Sequence, residues 1–157
     1  MDVGDKRIGI AISDKLGITA RGLPTLFRTN IKDDTRKILE IIGENGCSCV
    51  VVGLPLNLSG DDSVQTGKVR AFAHKLENKL ASNAMGDVRV ELYDERYTTV
   101  AAEQSMAEVG MSRARIREAK ARGDVDRQAA VVMLMEWLSA NGAGDGSGNG
   151  VSRIDGN

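Results

Sequence analysis

Apolar positions fall into short unbroken runs in the first part of this chain and into helical stripes later. Residues 8–13, Ile-Gly-Ile-Ala-Ile-Ser, have the character of a buried strand, with Gly9 allowing close backbone approach. A turn at Asp5 and Lys6 separates it from a strand-like opening at 1–4. Residues 20–27 are a third strand, and Pro24 assigns it to a sheet edge. The period then changes: Ile38, Leu39, Ile41 and Ile42 mark a helix that ends in the 43–46 stretch. The valine run 48–53 reads as a central strand and 54–62 as a loop. Val69, Phe72, Ala73, Leu76 and Leu80 form a helical stripe, and 88–93 alternates like a strand. Two helices follow, at 99–109 and 125–140. The order β-β-β-α-β-α-β-α-α predicts a meander followed by crossovers in a mixed α/β sheet. The glycine-rich remainder, 141–157, has almost nothing apolar to bury and is expected to be a disordered tail on a single domain, 1–140.

Composition narrows the function. The 157 residues suffice for one core. Aromatics are only 3%, which argues against a surface of stacked bases. The net charge of −1 means that any nucleic-acid contact must come from local charge placement. Cys47 and Cys49 read as reduced thiols packed on one face of a strand, and His74 is the only histidine. No stretch is apolar and long enough to span a membrane and no signal peptide opens the chain, so a cytoplasmic protein is expected, with an organelle as the alternative.

The candidate chemistry lies at element ends. Asp2 sits in the first strand-like segment, Glu95 directly follows the last strand, and Asp126 falls in the first turn of the last helix, after Asp124 as a candidate N-cap. Singly, each has an ordinary reading: a solvated terminal acid, a partner for Arg96, a first-turn acid favoured by the helix dipole. Asp126, however, shares a stripe with Ala130, Met133 and Trp137, and a carboxylate on a buried stripe needs a cationic, backbone or metal partner. Together the acids suit a hard cation such as Mg²⁺, and two such ions can activate water against a phosphodiester. Arg113, Arg115, Arg117, Lys120 and Arg122 precede Asp126, opposed only by Glu118. They are either a solvated helix face or a grip on a phosphate backbone. Lys6 and Arg7 extend that patch or mark a solvated hairpin tip. The 53–60 loop with Asn57 is either an ordered turn or a ligand contact at the carboxyl end of a strand.

Four segments in order, Asp2-Val-Gly-Asp-Lys-Arg-Ile-Gly-Ile-Ala11, Val51-Val-Gly-Leu-Pro-Leu-Asn57 with Gly60, Asp94-Glu-Arg-Tyr-Thr-Thr99 and Asp126-Arg-Gln-Ala-Ala130, resemble the YqgF/RuvX family. The resemblance implies a ribonuclease-H-like five-stranded sheet in the order 3-2-1-4-5, flanked by helices. It implies Asp2, Glu95 and Asp126 as a triad binding Mg²⁺ or Mn²⁺, and Lys6, Arg7, Asn57, Arg96 and the cations of 113–122 as nucleic-acid contacts. It also implies a nuclease maturing the 5′ end of precursor 16S ribosomal RNA. A Holliday-junction resolvase acting on branched DNA, or a non-catalytic RNA-binding relative, are the alternatives. Structured RNA is thus the first expected partner and branched DNA the second, with a monomer or homodimer. In the usual strand order the strand of Asp2 is separated from that of Glu95, so Glu95 is either a direct ligand or a water-mediated one. The family usually has apolar residues before its first aspartate. A start upstream of Met1 is therefore expected, since the chain as written shortens its first strand.

Overall fold

The computed structural model describes residues 1–56, 63–94, 122–141 and 151–153. Its elements are β1 (Asp2–Val3), β2 (Arg7–Ser13), β3 (Ala20–Phe27), α1 (Ile31–Asn45), β4 (Cys49–Leu54), α2 (Val64–Ser82), β5 (Arg89–Asp94), α3 (Asp124–Asn141) and β6 (Val151–Arg153). The class is mixed α/β, as the pattern predicts.

The first three strands form an antiparallel meander. Asp2 lies opposite Gly9, and the β2–β3 register slips between Ile8 and Ile10. The partners pass from Leu23 to Leu26 at that slip, stepping over Pro24, which has no N–H to give; β3 is indeed an edge. Asn30 caps α1 by accepting from the Asp33 amide, and Gly46 ends it in the left-handed region at φ 61. A reciprocal Ser63–Thr66 capping box opens α2. β4 and β5 run parallel, joined by the α2 crossover, and β6 adds antiparallel to β5. The expected helix at 99–109 lies outside the described residues. So does most of the expected tail, but three of its residues form β6.

The continuous order 3-2-1-4-5 is not what the ladders show. They form two three-stranded sheets, β1-β2-β3 and β4-β5-β6. One residue joins them: the Met1 amino group donates to the Val51 carbonyl at 2.6 Å, and the Met1 carbonyl accepts from the Gly53 amide at 2.9 Å. This is a single parallel bridge. Beside Met1, a cavity of about 850 Å³ is lined by Ile10 and Ile12 of β2, by Cys49 and Val51 of β4, and by Trp137 of α3.

The main core sets Ile8, Ile10, Val52 and Leu92 of the strands against Ile38 of α1 and Phe72 and Leu76 of α2. Strand alternation then turns Gly9 to the opposite face, and α3 packs there. Val125, Ala129, Ala130 and Met133 of α3 are buried. Cys47 and Cys49 are free and half-buried; burial raises both thiols above their ordinary range, Cys49 to about 12. No described helix is long and apolar enough to cross a membrane.

Candidate metal centre

Three glycines seat the start of α3. A Cβ at Gly9 would collide with the carbonyl group of Asp126, and one at Gly22 with the side chain of Arg127. Gly123 turns the chain into the helix at φ 81, and its carbonyl accepts from Thr25 Oγ1 at 2.6 Å. Arg127 is held by Asp124 at 2.7 Å. Asp124 is therefore in the first turn, paired with Arg127 and Arg122, rather than the N-cap that its position suggested. These contacts put the backbone of Asp126 directly on β2 at the residue opposite Asp2.

Asp2 and Gly9 are cross-strand partners and share a face, so the Asp2 carboxyl points to the side on which α3 lies. The two acids influence each other. Burial pushes the Asp2 carboxyl up to about 6; the Met1 amino group lowers it, and the Asp126 charge raises it further. Arg7 Nε lies 2.8 Å from Asp126 Oδ2, both side chains being about one quarter exposed. The contact is an ion pair without hydrogen-bond alignment: Oδ2 is buried, and among the described residues no N–H or O–H donates to it. A buried carboxylate oxygen with no donor, beside a second carboxyl, suits a hard cation in chemistry and position. No group of three metal-ligating side chains occurs among the described residues.

Arg7, expected on nucleic acid, thus faces Asp126. Lys6 is exposed at the hairpin turn, and Arg122 pairs with Asp124 at 3.3 Å. Glu95, Asn57, Arg96, Arg113, Arg115, Arg117 and Lys120 lie outside the described residues. β4 and β5 end level with each other, Leu54 opposite Asp94. The roles of Gly22, Thr25 and Arg127 escaped the sequence reading. The Asp124-x-x-Arg127 spacing was the one visible sign, since residues three apart meet on a helix. A further clamp was also missed: Arg28 donates to the Gly4 carbonyl at 2.8 Å and to the buried Asp34 at 3.1 Å, tying α1 to the β1–β2 turn.

Fold and site together define a mixed α/β protein with two acids converging where a helix start meets a strand. The chain belongs to the RuvX family, described as Holliday junction resolvase, whose model matches residues 1–140. It is 40% identical over 141 residues to a protein of Myxococcus xanthus named "Putative pre-16S rRNA nuclease", covering 90% of this chain and 86% of that one. Relatives of the same name from Koribacter versatilis and Desulforamulus reducens are 43% and 36% identical; the matches cover 90% and 89% of this chain and 86% and 94% of theirs.

Proposed function

We propose that this chain is a ribonuclease-H-like, metal-dependent nuclease that hydrolyses phosphodiester bonds in precursor 16S ribosomal RNA, acting in the cytoplasm as a monomer or homodimer. The observation that carries the reading is the convergence of Asp2 and Asp126 over Gly9, with Asp126 Oδ2 buried and lacking a donor. Asp2 and Asp126 hold Mg²⁺ or Mn²⁺, and Glu95 completes or orients the ligand set. When bound, two such ions supply an activated water and stabilise the leaving oxygen. The chain positions the reaction. Gly9 sets the spacing of the two acids, Arg7 fixes the rotamer of Asp126, and Lys6, Asn57, Arg96 and the cations at 113, 115, 117, 120 and 122 hold the backbone. The strand order 3-2-1-4-5 belongs to this proposal, the Met1 bridge being its support.

The family description favours one second reading, cleavage of branched DNA. Labelled precursor 16S leader RNA and a four-way DNA junction, incubated side by side with Mg²⁺ or Mn²⁺, separate the two. Cleavage of the RNA that EDTA and Asp126→Asn both abolish is the expected result. Preference for the junction establishes the second reading. A folded protein that cuts neither has no nuclease function.

A further inference from the structure

Away from the acids, α1 and α2 enclose an open cavity of about 520 Å³. Its floor is largely apolar, from Ile31 and the lysine stems; Lys32 and Thr35 of α1 and Lys75, Asn78, Lys79 and Ser82 of α2 complete the lining, and no acid is among them. Lys79 lies in the last turn of α2, where the helix dipole favours a cation, whereas Lys32 stands against a local preference. Lys32 is in the first turn of α1, where the helix dipole disfavours a cation. Lys75 and Lys79 are four apart on one helix, a like-charge spacing that costs a few tenths of a kcal/mol, roughly. None of the three ammonium groups has a carboxylate partner among the described residues. Two neighbouring acids, Asp33 and Glu40, are engaged with Arg36. Three lysines around one cavity, with no acid among its lining residues, make a surface of one charge sign of the kind that attracts anions.

We infer that this lysine-lined cavity between α1 and α2 is a phosphate subsite that holds the RNA backbone away from the point of cleavage. The inference rests on the nuclease reading above. The lining contains no aromatic ring on which a base could stack, so recognition is of backbone rather than sequence. Flexible lysines suit that task, because they meet phosphates as point charges without fixed geometry. The surface also connects to the acids. Gln65, in the first turn of α2, donates to the Val3 carbonyl at 3.2 Å, and Lys68 pairs with Asp5 at 2.9 Å. From there α2 runs about 16 Å to Lys79, at 1.5 Å per residue. The acids lie on the α3 face of the strands, so RNA reaching the cavity from them passes round the β1–β2 turn before following α2.

The test is RNA binding without cleavage. Fluorescence anisotropy of labelled precursor leader RNA is recorded in EDTA across roughly 50 to 300 mM NaCl. Wild type is compared with Lys75→Gln/Lys79→Gln, with Lys75→Arg/Lys79→Arg, and with Lys15→Gln/Lys37→Gln, which removes two charges elsewhere. Each released phosphate contact is worth about 0.7 in the slope of log K against log salt. The cavity variant is expected to lose about 1 to 1.5 of slope and about tenfold in affinity at the lowest salt, with unchanged melting. The arginine variant keeps the slope, and the distant pair alters it by less than about 0.3. An unaltered slope in the cavity variant overturns the inference and leaves the nuclease reading standing. An equal loss in the distant variant also overturns it, showing only net charge. Wild type that binds no RNA at any salt overturns both.

Discussion

At the scale of single residues, the site is built at the expense of stability. The Asp2 carboxyl has an ordinary value of 3.8 and is pushed to about 6 in the folded chain. Between those values the folded state binds more protons than the unfolded one. The contribution of Asp2 to stability is therefore most favourable below pH 3.8 and is lost as pH rises through about 6, by about 3 kcal/mol in all. Asp2→Asn is expected to be more stable than wild type above pH ~7, by up to that amount, and to converge with it below pH ~4 in urea titrations. Equal stability at both pH values would show that the carboxyl is not desolvated as described. Gly9 makes the complementary point through backbone contact. Gly9→Ala drives a methyl group into the Asp126 carbonyl, so α3 must lift. A loss of about 2–4 kcal/mol is expected, of the size seen for overpacking and backbone displacement. Gly67→Ala, inside α2 with nothing near its added methyl, should instead gain about 0.5–1 kcal/mol. Thermal melts of the pair distinguish a seat for α3 from a generic glycine effect.

At the scale of elements, what is local was legible and what is assembled was not. The β2 run, the Pro24 edge, the α1 stripe around Ile38 and Ile42, and the α2 stripe from Val69 to Leu80 all reached the described structure, because period and turn chemistry act over a few residues. The start of α3 was misread at Asp124, since capping competes with a tertiary clamp that no local pattern encodes. Gly22 and Thr25 were invisible for the same reason: their partners lie about a hundred residues away. Of the acids, Asp2 and Asp126 could be brought together from their places at a strand and a helix start. Arg7 could not be separated from the general basic patch, because only the β2 register aims it at Asp126. The expected five-stranded order met the shortness of β1, whose link to β4 is one bridge at Met1.

At the scale of the whole molecule, charge distribution links stability to catalysis. Asp2 and Asp126 repel each other across a partly dry site, and Arg7 offsets only one of them without a hydrogen bond. A divalent cation held by both acids, as proposed, would relieve that repulsion and would bind the folded state alone. Its stabilisation follows RT ln(1 + [M]/Kd), about 2.7 kcal/mol at a hundredfold excess over Kd. Protons compete for the same site, since Asp2 is protonated below about pH 6. Mg²⁺ or Mn²⁺ should therefore raise the melting temperature by several degrees near pH ~8 and by little near pH ~5. Asp2→Asn starts from a higher melting temperature without metal and should show almost no metal response at either pH. Asp126→Asn should lose the response as well, without the same gain in starting stability, because the desolvated charge of Asp2 remains. This pattern, different in the absence of metal and alike in its presence, separates a metal centre from a pair of acids that merely tolerate each other. A metal response that is the same at both pH values, or that survives either substitution, would place the cation somewhere other than on these two carboxylates.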